Sequence, residues 1–178
     1  MTDRRRVLTL LFTVLLVATL SACGSEEGSN GEGLVPGNVA LAVAADVVWG
    51  PLNIPDDRAA GQVCVNESRF PRSSEIVWRV RVTDPITGQE LDDSSTTAQI
   101  RLGDGQVLEM RYGPHPRENS TDFFWTTSFD IPQDYPTGTL SWEVTATSGE
   151  RSGVYTPFNV APSLLTITDE VLPTIEEG

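Results

Sequence analysis

The run Glu75–Thr83 constrains this chain more than any other: it reads Glu-Ile-Val-Trp-Arg-Val-Arg-Val-Thr. Ile76, Trp78, Val80 and Val82 fall on one parity, Val77, Arg79 and Arg81 on the other. A strand turns successive side chains to opposite faces, so a two-residue period presents one apolar face and one wetter face. A helix would scatter the same residues around its circumference. The pattern calls for a sheet with something packed on one side of it.

The same period recurs along the chain. Ala98, Ile100 and Leu102 alternate with Gln99 and Arg101. Asp104-Gly105 then supplies a hairpin turn, and Leu108, Met110 and Tyr112 alternate with Val107, Glu109 and Arg111. Thr121–Ile131 sets Phe123, Trp125, Thr127 and Phe129 against Phe124, Thr126 and Ser128. Leu140, Trp142, Val144 and Ala146 alternate with Ser141, Glu143 and Thr145. Weaker strand signals lie at Asn38–Trp49, Gly61–Asn66, Gly153–Val160 and Leu164–Thr168, with Pro157 marking an edge or a bulge.

Between them, Asp84–Gly88, Pro132–Gly138 and Ser148–Glu150 read as turns. Glu67–Ser74, which holds Pro71, reads as a loop. Gly113–Asn119 reads as irregular because two prolines bracket His115. No segment carries a helical period of useful length. Short strands separated by turns predict an all-β sandwich of about 7–9 strands over residues 38–168, and an acidic tail, 169–178, is expected to fray. Trp78, Trp125 and Trp142 are expected to fill the space between two sheets about 10 Å apart.

The first 22 residues stand apart. Arg4, Arg5 and Arg6 precede an apolar stretch from Val7 to Leu20, followed by Ser21, Ala22 and Cys23. That is the layout of a signal peptide, and the apolar stretch is short for a permanent span. Leu20-Ser21-Ala22-Cys23 resembles the box of the bacterial lipoprotein signal family. The resemblance implies cleavage before Cys23, a diacylglycerol on its thiol, and a cell-membrane location on the extracytoplasmic face. Asp3-Arg4-Arg5-Arg6-Val7-Leu8 also resembles a twin-arginine export signal, with Asp3 where that family has Ser or Thr, so the export route stays open. Residues 23–37, rich in Gly, Ser and Glu, cannot bury enough surface to offset their ordering entropy. They are expected to form a tether with a reach of roughly 20 Å.

The chain has 25 acidic and 12 basic residues, a net charge of −13, and the basic residues are all arginine. Removing residues 1–22 takes away three arginines and one aspartate and moves the net charge to −15. Such a charge repels nucleic acid and anionic headgroups, so nucleic-acid binding is not expected. The two cysteines are Cys23 and Cys64. With Cys23 acylated, Cys64 has no intramolecular partner and is expected to be buried as a small hydrophobe in a short strand.

The later half resembles bacterial extracytoplasmic immunoglobulin-like domains. The resemblance lies in Trp125–Pro132, Tyr135–Thr139 and Leu140–Thr147, where a strand ends in a proline turn, a glycine resets the chain and an alternating strand follows. It implies an immunoglobulin-like β-sandwich with a display or binding role. It transfers no catalytic residue, and the paired cysteines of antibody domains are absent.

Chemistry-bearing motifs are few. His115 is the single histidine and has no nucleophile signature beside it. A blue-copper reading of Cys64, Met110 and His115 lacks the second histidine such sites want. Asp56-Asp57, Asp84, Asp92-Asp93, Asp104, Asp130 and Asp134 lie near turns, where oxygens from several loops could converge on calcium, though each also suits a turn. The expectation is a non-catalytic, lipid-anchored envelope protein with no cofactor or metal. It would touch a protein partner, or serve as an accessory subunit of a membrane-side complex, through the loops at Trp49–Arg58 and Tyr112–Thr121, with Trp49, Tyr112, His115 and Arg117 as contact residues. The alternatives are a carbohydrate- or small-ligand-binding module, which needs its aromatics gathered on one exposed face, and a calcium-stabilised structural domain.

Overall fold

A computed structural model describes residues 39–51, 66–115, 120–160 and 164–172, all within the unit Pro36–Gly178. Eleven strands are present among them: β1 Ala42–Trp49, β2 Arg69–Arg72, β3 Glu75–Thr83, β4 Thr96–Leu102, β5 Val107–Glu109, β6 Arg111–His115, β7 Asp122–Asp130, β8 Gly138–Leu140, β9 Trp142–Ser148, β10 Arg151–Tyr155 and β11 Leu165–Val171. They form three sheets, ordered β1-β3-β7-β6, β10-β9-β4-β5 and β2-β11-β8. The architecture is all-β and of the general β-sandwich class, with more strands and one more sheet than the sequence pattern predicts.

The extra count has three sources: the strand β2, where a loop is expected, and two crossings between sheets. The chain crosses between sheets at Met110, whose N–H donates to Ala98 O at 2.9 Å just before Arg111 takes up Thr126 in the other sheet. The segment 107–115, read from sequence as a hairpin arm ending in a loop, is therefore two strands. Ser141 is a second crossing, between β8 on β11 and β9 on β4.

The alternation of β3 decides which way the first sheet faces. Ile76, Trp78, Val80 and Val82 are buried, as are Ala98, Ile100 and Leu102 of β4 and Trp142, Val144 and Ala146 of β9. Trp78 from one sheet meets Trp142 from the other edge-on, with ring centroids 6.0 Å apart and planes at 61°. Aromatic pairs favour that geometry by about 0.5–1.5 kcal/mol beyond the area they bury. All three tryptophans expected in the core are there.

Four readings change. Arg69–Arg72, expected to be loop, is a strand that runs parallel to β11. Pro71 is tolerated because β2 is an edge strand, where a missing N–H costs no ladder bond. Gly113–His115, expected to be irregular, continues β6; β6 is likewise an edge strand and so accommodates Pro114. The closing strand runs past Thr168 to Val171, and Leu172 is buried with its N–H donated to Arg72 O at 3.1 Å, so residues 169–172 of the expected tail belong to the fold. β10 stops at Tyr155, before Pro157, and its place is at a sheet edge. The expected strand at Gly61–Asn66 lies outside the described residues apart from Asn66, which bridges to Val48.

Candidate interaction surface

The surface grows from the pairing of β6 with β7. The register sets Tyr112 opposite Trp125, Gly113 opposite Phe124, Pro114 opposite Phe123 and His115 opposite Asp122. Alternation then sorts these residues into two groups. Tyr112, Phe123 and Trp125 share one side, Phe124, Asp122 and His115 the other.

The first group descends from solvent to core. Phe123 is 45% exposed and stacks on Tyr112, with centroids 5.8 Å apart and planes at 26°. Tyr112 is half-buried and leans on Trp125 at 5.5 Å. Trp125 is buried, and its indole N–H donates to Leu91 O at 3.0 Å. Burial pushes the Tyr112 phenol above its usual pKa, with smaller contributions from Glu90 and Asp92. The ramp is rigid at its base and open at its tip.

The second group is a charged ladder on the outer face. Arg79 donates two hydrogen bonds to Asp46, at 2.9 and 2.7 Å. Arg81 joins Glu90 and Asp122. Both guanidinium groups lie over the Phe124 ring, Arg81 at 4.4 Å and Arg79 at 5.4 Å, and His115 meets the same ring edge-on at 5.9 Å. A guanidinium over a ring is attracted by the ring's negative face. The Arg81 bond, foremost, holds the Asp122 carboxyl below its usual range.

Of the four expected contact residues, the structure brings together Tyr112 and His115, on opposite sides of one edge strand. Arg117 lies outside the described residues, as do residues 52–58 of the first expected contact loop and residues 116–119 of the second. Trp49 is a correction. It is 5% exposed and packs on Phe70 with centroids 5.4 Å apart, so its ring belongs to the core. Trp49 also stands far from His115: it pairs with Ile76, which pairs with Phe129, whereas His115 pairs with Asp122 at the other end of β7.

The other expectations resolve residue by residue. Met110 is buried in the core, His115 sits on an outer face, and Cys64 lies outside the described residues, so the copper comparison gathers no site. Among the described residues, no group of three or more His, Cys, Asp or Glu is placed to hold a metal ion. Asp84 pairs with Arg151 at 3.0 Å, Asp92 accepts from Ser94, and Asp104 accepts from Gln106 and Tyr135, so these three serve turns rather than converge. Asp56 and Asp57 lie outside the described residues. The aromatics that a ligand platform would need on one face are dispersed: Tyr112 at β6, Phe124 on the outer face, Tyr135 against Phe129, and Tyr155 against Trp142.

No known sequence family matches the chain. No curated protein matches it either. Among solved structures, it is loosely similar to a DUF4426 family protein from Pseudomonas aeruginosa, with 15% identity and a TM-score of 0.34, covering 65% of this chain and 84% of that one. It is similarly close to the Lin-41 filamin domain, with 18% identity and a TM-score of 0.32, covering 70% of this chain and 92% of that one. Likeness at this level carries no function across.

Sequence reasoning did not name Phe123, Phe124, Arg79, Arg81, Glu90 or Asp122 as contact residues. A signal was present: two adjacent phenylalanines in a period-two strand must point to opposite faces. One of them therefore faces away from the core, level with the outward arginines of β3.

Proposed function

We propose that this chain is a non-catalytic, lipid-anchored protein of the extracytoplasmic face, carrying an immunoglobulin-like domain that binds a protein partner of the envelope through the β6–β7 edge. The observation that carries the reading is the aromatic ramp Phe123–Tyr112–Trp125, exposed at its tip and fixed at its base. Preformed aromatic anchors of this kind suit interfaces because few side-chain rotations remain to be frozen on binding. The ladder of Arg79, Arg81, Asp46, Glu90 and Asp122 alongside would set orientation more than affinity.

The immunoglobulin-like reading is supported by the strand order. In chain sequence, β1, β3, β4, β5, β6, β7, β9 and β10 take the places of strands A, B, C, C′, D, E, F and G, with A-B-E-D facing G-F-C-C′. The anchoring reading is supported by Leu20-Ser21-Ala22-Cys23 and the apolar stretch before it. Among the described residues no helix is long and apolar enough to cross a membrane.

The test is a crosslinking pull-down of the native, membrane-fractionated protein followed by mass spectrometry, repeated with Phe123→Ala and His115→Ala. A reproducible partner that Phe123→Ala releases, at unchanged thermal stability, supports the reading. Capture that is indifferent to both substitutions overturns the site.

A further inference from the structure

Among the described residues, a further exposed apolar region lies at the other edge of the fold. Val154 is 57% exposed on β10, Phe158 is 78% exposed just beyond it, and Val160 is 53% exposed. The turn that presents them is hydrogen-bonded: Val160 N–H donates to Phe158 O at 2.8 Å and Leu164 N–H to Val160 O at 3.1 Å. In a chain with 25 acidic residues, the stretch 151–168 contains none. Carboxylates are absent from the segment that holds Val154, Phe158 and Val160.

This is also the edge at which the chain enters the fold. Leu41, the residue before β1, donates its N–H to Ser152 O of β10 at 3.0 Å. Gly153 beside it is so closely covered that a Cβ there would lie 2.3 Å from Leu41 O and 2.8 Å from the Val43 side chain. From Ser152 to Phe158 an extended chain covers roughly 20 Å at about 3.3 Å per residue. On the anchoring reading, a tether over residues 23–37 would have a root-mean-square reach of roughly 20 Å. Both the tether entry and the apolar turn can therefore approach one surface together. The aromatic ramp lies at the far edge of the first sheet, three strand spacings of about 4.8 Å from β1.

We infer that the β10 edge, with Phe158 and Val160 at its tip, rests on the bilayer when Cys23 is acylated, which turns the β6–β7 edge outward. The occupant is the interfacial zone of a lipid bilayer, where an aromatic ring and aliphatic side chains gain by leaving water. The inference rests on the anchoring reading above. Zwitterionic lipid suits it better than anionic lipid, because the chain from Cys23 onward, at net charge −15, is repelled by negative headgroups.

The test reconstitutes the full mature protein, purified from membranes, into phosphatidylcholine vesicles doped with a diazirine-bearing phosphatidylcholine. Intact mass reports acylation of Cys23, and peptide mapping after illumination reports which residues touch lipid. Adducts concentrated at 154–160 are expected. Phe158→Ser with Val160→Ser should cut them about tenfold, a change that a loss of about 1.4 kcal/mol in partitioning produces. Phe123→Ser, an equally conspicuous apolar deletion at the far edge, should leave them unchanged. An acylated protein whose adducts spread evenly, or gather at Phe123, overturns the orientation while leaving the anchor standing. A protein with no acyl mass at Cys23 overturns the anchor and this inference with it.

Discussion

The phenol of Tyr135 donates a 2.6 Å hydrogen bond to Asp104 Oδ2, tying the β7–β8 connection to the tip of the β4–β5 hairpin. Asp104 also accepts from the backbone N–H and the side-chain amide of Gln106, and Gly105 completes the turn with φ 93°. One carboxylate therefore closes a tight turn and holds a distant loop. Tyr135 in turn packs edge-on against Phe129 at 5.3 Å, which fixes its ring.

Tyr135→Phe should cost about 1 kcal/mol, the net value of one hydrogen bond. Its pH dependence identifies the bond. Burial, then the Asp104 bond, raises the Tyr135 pKa from 10.0 to about 12. The contribution is present in full below pH 10 and is lost as pH rises through about 12. Asp104 is shifted the other way, with the Tyr135 bond as the largest cause, so its contribution is present above 3.8 and fades as pH falls below that value. Denaturant midpoints of wild type and variant, measured across pH, should differ by a constant amount near neutrality and converge at both extremes.

Trp49→Ala should destabilise the domain by about 3–5 kcal/mol, the range for emptying a buried aromatic site. It should broaden or abolish the unfolding transition, and any loss of partner binding would follow from that. Phe123→Ala, from a ring nearly half exposed, should leave the midpoint within about 0.5 kcal/mol of wild type. Equal destabilisation by the two would contradict the burial described for Trp49.

That contrast shows what the sequence could and could not convey. The interior faces of β3, β4 and β9 were legible because each strand carries its own alternation, and the turns at Asp84–Gly88 and Asp104-Gly105 were legible because Asp and Gly act locally. Trp49 was not, since it ends its strand and its burial depends on Phe70, which arrives from a separate strand. β2 and the later half of β6, Gly113–His115, were hidden by Pro71 and Pro114. Proline argues against a strand locally, and only the partner strand shows that these are edges where the missing N–H is harmless. The candidate surface was half legible. Tyr112 and His115 were marked by their setting, whereas Arg79, Arg81 and Phe124 converge only once the β3–β7 register is known.

Gly153→Ala should cost about 1–3 kcal/mol, because the methyl group would enter the space held by Leu41 O and Val43. Part of that cost should appear as local opening. Amide exchange at Leu41, bonded to Ser152 O, should accelerate more than exchange at Trp78 or Val80 on the central strand β3. Equal acceleration at both places would show that β1 and β10 do not open as a separate unit.

Arg81→Gln tests the outer ladder. In the wild type the Asp122 carboxyl is held below 3.8 chiefly by the Arg81 bond, so whatever it contributes to stability is present above that pH and is lost in acid. Removing the guanidinium should let Asp122 titrate in the ordinary carboxylate range, observed by carboxyl-carbon NMR. The effect should shrink as salt is raised, since Arg81 and Asp122 are both partly exposed to solvent. Phe124 loses the nearer of its two cations in the same variant, so the ring signals of Phe124 and of His115, which meets it edge-on, should shift together. A ring shift without movement of the Asp122 titration would mean that the cation over the ring, and not the carboxylate pair, orders this face.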